Sequence, residues 1–242
     1  MIDIFSFASV TSTNDYAKIL LEKRNAVIIT ANHQTKGRGR NNKRWMGDYG
    51  GNIFLSYGVM HENANKDVHQ SLLIYQCIGC LAVKKALETI ASTCEFALKY
   101  PNDIYALQSG EWRKISGVLV ENEFVGATLK SSVLGIGVNG MQMEFGPEIV
   151  ATSLVLLDVN VEVIKLKQLM IKEIFTMLNL QPNQVIEEWK KVLKIKNKKL
   201  RIVGENDDWI VEGFNEFGML EVESKGIRKV IGNGDSIRYN LS

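Results

Sequence analysis

Leu72-Leu-Ile-Tyr-Gln-Cys-Ile-Gly-Cys-Leu-Ala-Val83 is apolar nearly all round, and a helix without a polar stripe belongs at the centre of a fold. Apolar residues continue at helical spacing through Val83, Ala86, Leu87 and Ile90, so the pattern predicts one long helix over residues 68–90. Cys77 and Cys80 have redox-motif spacing but lie inside this run, which makes them core residues. Outward from the helix, β-type runs occupy residues 26–31, 52–60, 96–100, 115–123 and 129–138, predicting a sheet of at least five strands. A hairpin-like segment around Gln108-Ser-Gly-Glu111 is expected to join the strands at 96–100 and 115–123. Residues 12–23 read as a helix whose first amides the Ser12 or Thr13 hydroxyl can cap. Two more helices are expected at 161–180 and 182–193, the second opening on Pro182.

Beyond Lys194 short β-type runs alternate with turn signals at Gly204, Asn215, Ser224 and Gly232, the pattern of a small barrel. This places a first domain at residues 1–194 and a second at 195–242. The seven cations and no acid between 190 and 201 read as a solvated linker face.

Over 242 residues, 45% hydrophobic and 23% charged side chains lie in the ordinary globular range. A formal charge of +2 creates no strong overall field for nucleic acid or an anionic membrane. No stretch approaches the roughly 18 apolar residues of a membrane span, and the N-terminus has no secretory pattern. The odd set Cys77, Cys80 and Cys94 fits neither a disulfide framework nor a four-ligand zinc site. A reducing cytoplasm is the expected location.

Residues 32–51 carry five glycines and almost no aliphatic side chains, the composition of a functional loop. At its centre Lys36-Gly-Arg-Gly-Arg40-Asn-Asn-Lys43-Arg44-Trp45 holds five cations. Such a backbone can wrap a ligand while guanidinium forks reach a carboxylate or polyphosphate. It is no P-loop, since no Gly-Lys-Ser/Thr follows; a basic RNA-binding arm is the alternative. Lys99-Tyr-Pro-Asn-Asp103 holds an amide and a carboxylate at a strand end. Lys114-Ile-Ser-Gly117 opens one strand and Gly135-Ile-Gly-Val-Asn139 closes another.

In this order, together with Ser12-Thr-Asn14, Gln34 and Ala151-Thr-Ser-Leu154, these segments resemble the biotin protein ligases over about residues 10–155, with a weaker likeness in the terminal barrel. The resemblance implies an α+β fold: a mixed, largely antiparallel sheet flanked by helices, as in class II aminoacyl-tRNA synthetases, with a C-terminal SH3-like barrel. It implies formation of biotinyl-5′-AMP from biotin and MgATP, then transfer of biotin to one lysine of a biotin carboxyl carrier domain in a biotin-dependent carboxylase.

Carried over by motif, Ser12, Thr13, Asn14 and Gln34 meet the ureido head of biotin, in a site that includes Gly117. Arg38, Gly39 and Arg40 meet its carboxylate and the phosphates, and Lys114 bridges carboxylate and α-phosphate; Lys114, Arg40 and Arg38 are the implied catalytic set. Lys43, Arg44, Trp45, Asn102 and Asn139 are the further implied ATP contacts, and Asp103 holds Mg²⁺ or orients a cation. Two positions depart from the family pattern: Tyr100 stands where Trp is common, and Lys43 where Arg is common. The second keeps charge but loses the bidentate fork. Residues 36–48 are expected to order over the adenylate. Eleven residues before Ser12 are too few for a helix-turn-helix DNA reader, so a single-function enzyme, monomer or homodimer, without DNA or membrane partners, is expected. A lipoate protein ligase and a catalytically silent biotin-binding module are the competing readings.

Overall fold

Alternation along one strand sets the architecture. In Thr128–Val138 the side chains of Leu134, Ile136 and Val138 point to one face and are buried there, whereas Gly135 and Gly137 open the other. The computed structural model describes residues 2–45, 47, 50–61, 68–146, 149–160 and 162–241. Its elements are β1 (Asp3–Phe7), α1 (Thr13–Leu21), β2 (Ala26–Ala31), β3 (Ile53–Met60), α2 (Val68–Ile90), β4 (Phe96–Lys99), β5 (Asp103–Gln108), β6 (Glu111–Val125) and β7 (Thr128–Val138). There follow α3 (Val163–Leu178), α4 (Pro182–Leu193), β8 (Lys199–Ile202), β9 (Asp208–Phe214), β10 (Leu220–Ser224), β11 (Ile227–Ile231) and β12 (Ile237–Arg238).

The first seven strands form one sheet in the order β1-β2-β3-β7-β6-β5-β4. Only β1 and β2 run parallel. The long apolar helix lies where its composition requires, across the centre of one face. A methyl group on Gly79 would stand 2.6 Å from Leu134 and 2.9 Å from Val118, so glycine there lets α2 approach the sheet closely. Helices α3 and α4 pack behind it, with Trp189 fully buried. Cys77 and Cys80 lie in this core with their thiol pKa values raised by burial, as expected of packing residues. The opposite face carries α1, whose Ala17 and Leu21 pack on Val27, Ile29 and Val133.

Strands β8 to β12 form a second, antiparallel sheet in the order β11-β10-β9-β8-β12, the SH3-like element expected after Lys194. It is locked to the first part by Tyr100. The Tyr100 hydroxyl donates to Ile231 O (3.1 Å) and its backbone N–H to Tyr239 Oη (2.8 Å).

Several local expectations change. The sheet has two strands more than the sequence pattern gives, β1 and β5. The Gln108–Glu111 turn therefore joins β5 to β6, while β4 reaches β5 through Tyr100-Pro101-Asn102. Strand β6 begins at Glu111, four residues early, because its exposed start pairs with β5. Ser12 occupies the cap position of α1, yet its hydroxyl makes no capping bond; the Thr13 amide is satisfied by Gln34 Oε1 at 2.7 Å. Val161, the expected first residue of the third helix, and Met46 and Asp48 of the loop at 36–48 lie outside the described residues.

Candidate active site

The site is built on a floor without side chains. Gly117 of β6 pairs directly with Gly137 of β7, and the Trp45 indole lies against both. A methyl at Gly137 would overlap the ring, and one at Gly117 would come within 3.1 Å of it. Two residues along β7, a methyl at Gly135 would overlap the Asn14 amide. These glycines thus allow α1 and the glycine-rich loop to close on the sheet, enclosing a cavity of about 1030 Å³. Ser12, Thr13, Asn14, Gln34, Arg38, Gly39, Arg40, Lys43, Arg44, Trp45, Asn102, Asp103, Lys114, Gly117 and Asn139 all line it. The structure brings the complete set of sequence-derived candidates to one place.

One end is a hydrogen-bonded cluster on rigid elements. Ser56 Oγ of β3, fully buried, lies 2.8 Å from Thr13 Oγ1 and 2.6 Å from Asn14 Oδ1. Thr13 Oγ1 also reaches Gln34 Oε1 (3.0 Å), and Asn14 Nδ2 donates to Glu121 Oε2 (2.8 Å). Arg38 is found here too: it donates to both oxygens of Asp15 (2.8 and 2.5 Å) and to Glu121 (3.3 Å). The Arg38 bond holds the Asp15 carboxyl below the usual carboxylate range. Burial pushes the Glu121 carboxyl up, but the Asn14 bond and the Lys18 and Arg38 charges outweigh it.

The other end gathers cations, and a bulge makes it possible. Ile104 pairs with Ser116 but Tyr105 pairs with Lys114, leaving Ile115 unpaired. An odd count from Gly117 would turn Lys114 away from the cavity; the extra residue returns it. Its ammonium lies 2.7 Å from Asp103 Oδ1 and 5.5 Å from the Trp45 ring centroid. The Lys114 backbone is fixed on both sides, its N–H donating to Val150 O and its carbonyl accepting from Thr152 N.

Around it the remaining candidates have specific partners. Arg40 Nη1 donates to Asn102 Oδ1 (3.0 Å), and Asn102 Nδ2 donates to Val118 O (2.5 Å). Asn139 Nδ2 donates to Thr152 O (2.9 Å), so its amide braces the Ala151–Leu154 segment. Lys43, largely exposed, faces Asp235 at 3.5 Å. The Trp45 indole N–H is buried with no acceptor among the described residues.

Two of the candidates are engaged by protein partners that bear on their expected roles. Arg38, expected at a substrate carboxylate, is engaged by two protein carboxylates at the opposite end. Glu121 and Lys114 are seven residues apart on β6, roughly 20 Å of strand. Asp103, expected to hold a metal or orient a cation, is paired with Lys114. Among the described residues no cluster of three or more His, Cys, Asp or Glu could hold a metal ion.

Sequence reasoning gave no role to Asp15, Ser56, Glu121 or Asp235. Only Glu121 carried a signal, as a carboxylate directly after the apolar run Val118-Leu-Val120 inside a strand. Asp235 reaches the site from the second sheet, accepting from Asn41 Nδ2 at 2.7 Å.

A slot with hydrogen-bonding groups at one end and cations at the other suits an elongated organic acid that is activated at its carboxylate. The sequence model of the biotin/lipoate A/B protein ligase family matches residues 6–139, and the chain belongs to that family.

Within the family, the bifunctional ligase/repressor BirA of Salmonella typhimurium is 26% identical over 233 residues, covering 91% of this chain and 69% of that one. The biotin--[acetyl-CoA-carboxylase] ligase of Mycobacterium tuberculosis is 33% identical over 144 residues, 56% of this chain and 46% of that one. In fold the chain is similar to the Aquifex aeolicus biotin protein ligase solved with biotin and ATP. That match has a TM-score of 0.67 at 24% identity and covers 98% of this chain and 99% of the other.

Proposed function

We propose that the protein is an ATP-dependent biotin protein ligase. The observation that carries this reading is the polarity of the slot: amides and hydroxyls at the Asn14 end, Lys114 with Arg40 and Asp103 at the other. A ureido ring needs fixed donors and acceptors, which Asn14, Thr13 and Gln34 provide; Ser12 lies beside them. The valerate chain runs along the glycine floor beneath Trp45, and its carboxylate meets Lys114.

In the first step a carboxylate oxygen attacks the α-phosphorus of ATP. The bond to the pyrophosphate oxygen breaks, giving biotinyl-5′-AMP and pyrophosphate. Lys114 and Arg40 stabilise the charge on carboxylate and phosphate oxygens as the two anions approach, and Asp103 aims the Lys114 ammonium. In the second step the amine of a lysine on a biotin carboxyl carrier domain attacks the acyl carbon. The mixed-anhydride C–O bond breaks and AMP leaves.

Lys43, Arg44 and Asn102 lie where the nucleotide would be held, with Asn139 bracing the adjoining segment. Magnesium fits as an ion carried in on ATP rather than a resident one, since Mg²⁺ needs only one or two carboxylates besides phosphates and water, and Asp103 is the candidate carboxylate. We read residues 1–194 as the catalytic domain and 195–242 as a barrel that closes the nucleotide side through Asp235. The site of action is taken to be the cytoplasm. Among the described residues no helix is long and apolar enough to cross a membrane.

The test is incubation with MgATP, a biotin carrier domain and either radiolabelled biotin or radiolabelled lipoate. Biotin label on the carrier lysine is expected, and labelling by lipoate alone would sink the assignment. Biotin binding without ATP–pyrophosphate exchange would instead identify a silent binding module. The polar Asn14 end favours biotin over lipoate, because an apolar dithiolane ring has no donors or acceptors to match the hydrogen-bonding groups held there.

A further inference from the structure

The 37–45 segment is a small hairpin. Trp45 N–H donates to Gly37 O (3.0 Å), Gly39 N–H to Lys43 O (2.7 Å), and Arg38 pairs with Arg44. Arg40 stands at its tip and Trp45 ends its second leg, so whatever fixes the base also fixes the group facing Asn102 and the ring on the glycine floor. Arg38 is at that base. Its guanidinium spans two independent rigid elements, α1 through Asp15 and β6 through Glu121. Glu121 also receives Asn14 Nδ2 and Lys18 Nζ (3.3 Å). Two carboxylates thus face two cations, Arg38 and Lys18. That balance leaves no surplus positive charge to attract a substrate anion, and a bidentate pair would have to break before Arg38 could bind one.

We propose that Asp15 and Glu121 are positioning residues for the ligase reaction, holding Arg38 as the fixed base of the hairpin that carries Arg40 and Trp45. Arg38 is an anchor in this assignment, not a ligand of the substrate carboxylate. The proposal rests on the function proposed above for its kinetic arm, and on geometry alone for its proteolytic arm.

The experiment compares wild type with Asp15→Asn, which is isosteric, and with Arg38→Lys, which keeps the charge but not the fork. Asp15→Asn is expected to lower kcat of biotin-dependent ATP–pyrophosphate exchange on the order of ten-fold. Trypsin cleavage between Lys36 and Trp45 in the unliganded protein should be several-fold faster, while the denaturation midpoint falls only slightly. Arg38→Lys should change kcat and cleavage in the same directions, and Asp15→Glu should restore part of kcat. A carboxylate that merely kept Arg38 from substrate would give the opposite result, a lower KM for biotin or MgATP. That outcome, an unchanged kcat, or an unchanged cleavage rate overturns the proposal. A wild-type protein with no exchange activity would refute the ligase reading while leaving the cleavage result to decide the anchor.

Discussion

The two ends of the cavity are built on different principles. At the Asn14 end, Thr13, Asn14 and Ser56 are buried on a helix and a strand, bonded to one another and to Gln34 and Glu121 before any ligand arrives. At the Lys114 end, the cations come from a bulged strand and a hairpin, and Lys43 stands mostly in solvent. The first end recognises shape through fixed hydrogen bonds, which reject a molecule lacking matching groups. The second supplies charge, which acts over longer distance and tolerates motion. On the function proposed above, a ligase that holds one small acid and then releases an adenylate to a protein acceptor has use for both.

The largest expected break of this contrast is Lys114→Ala. Exchange between ATP and pyrophosphate should fall by about 10²–10³ in kcat, the scale of losing one oriented charge in a transition state. Biotin affinity, read by calorimetry, should fall less than kcat does, because the carboxylate contact is lost while the hydrogen-bonding Asn14 end is untouched.

Next in size is Gly135→Ala, whose methyl would overlap the Asn14 amide. Overpacking of this kind costs about 1–3 kcal/mol, so both the unfolding midpoint and biotin affinity should drop. Gly39→Ala, whose nearest neighbour would be 3.5 Å away, should change stability little.

Ser56→Ala leaves the buried Asn14 carbonyl without its hydroxyl donor and should cost about 1–3 kcal/mol in chemical denaturation. The smallest effect is electrostatic. Asp15 titrates below its ordinary value of 3.8 because Arg38 donates to it. Its stabilising contribution is therefore fully present above pH 3.8 and is lost as pH falls through the lowered value. The difference in denaturation midpoint between wild type and Asp15→Asn should be constant from pH 7 to 5 and shrink toward pH 3.

Much of this was legible in the sequence, and what was not has a physical reason. The long apolar helix, β2, β3, β7, α4 and the terminal barrel follow from periodicity. Strand β5 escaped because it is short and its first residue, Asp103, also belongs to a turn signal. The exposed start of β6 has no apolar alternation to mark it. All candidate residues were found because they lie in compact motifs, whereas Asp15, Ser56 and Asp235 are single polar residues whose importance depends on what the fold brings near. Gln34 was read for its own side chain, yet its role in capping α1 depends on a partner 21 residues away. The Arg38 charge was legible, but its direction was not: a glycine-flanked arginine can reach either end of the slot, and only the positions of Asp15 and Glu121 decide.

The glycine floor also acts as a length standard. Gly135 and Gly137 of β7 and Asn139 directly after it succeed one another at every second residue, so the interval between the Asn14 end and the Lys114 end is set by peptide geometry, about 6.8 Å per pair of residues. Side-chain substitution cannot stretch that interval; only inserting or deleting residues in paired strands could. Tolerance for a modified ring can therefore evolve one residue at a time, while tolerance for a longer or shorter acid chain requires the sheet itself to be rewritten.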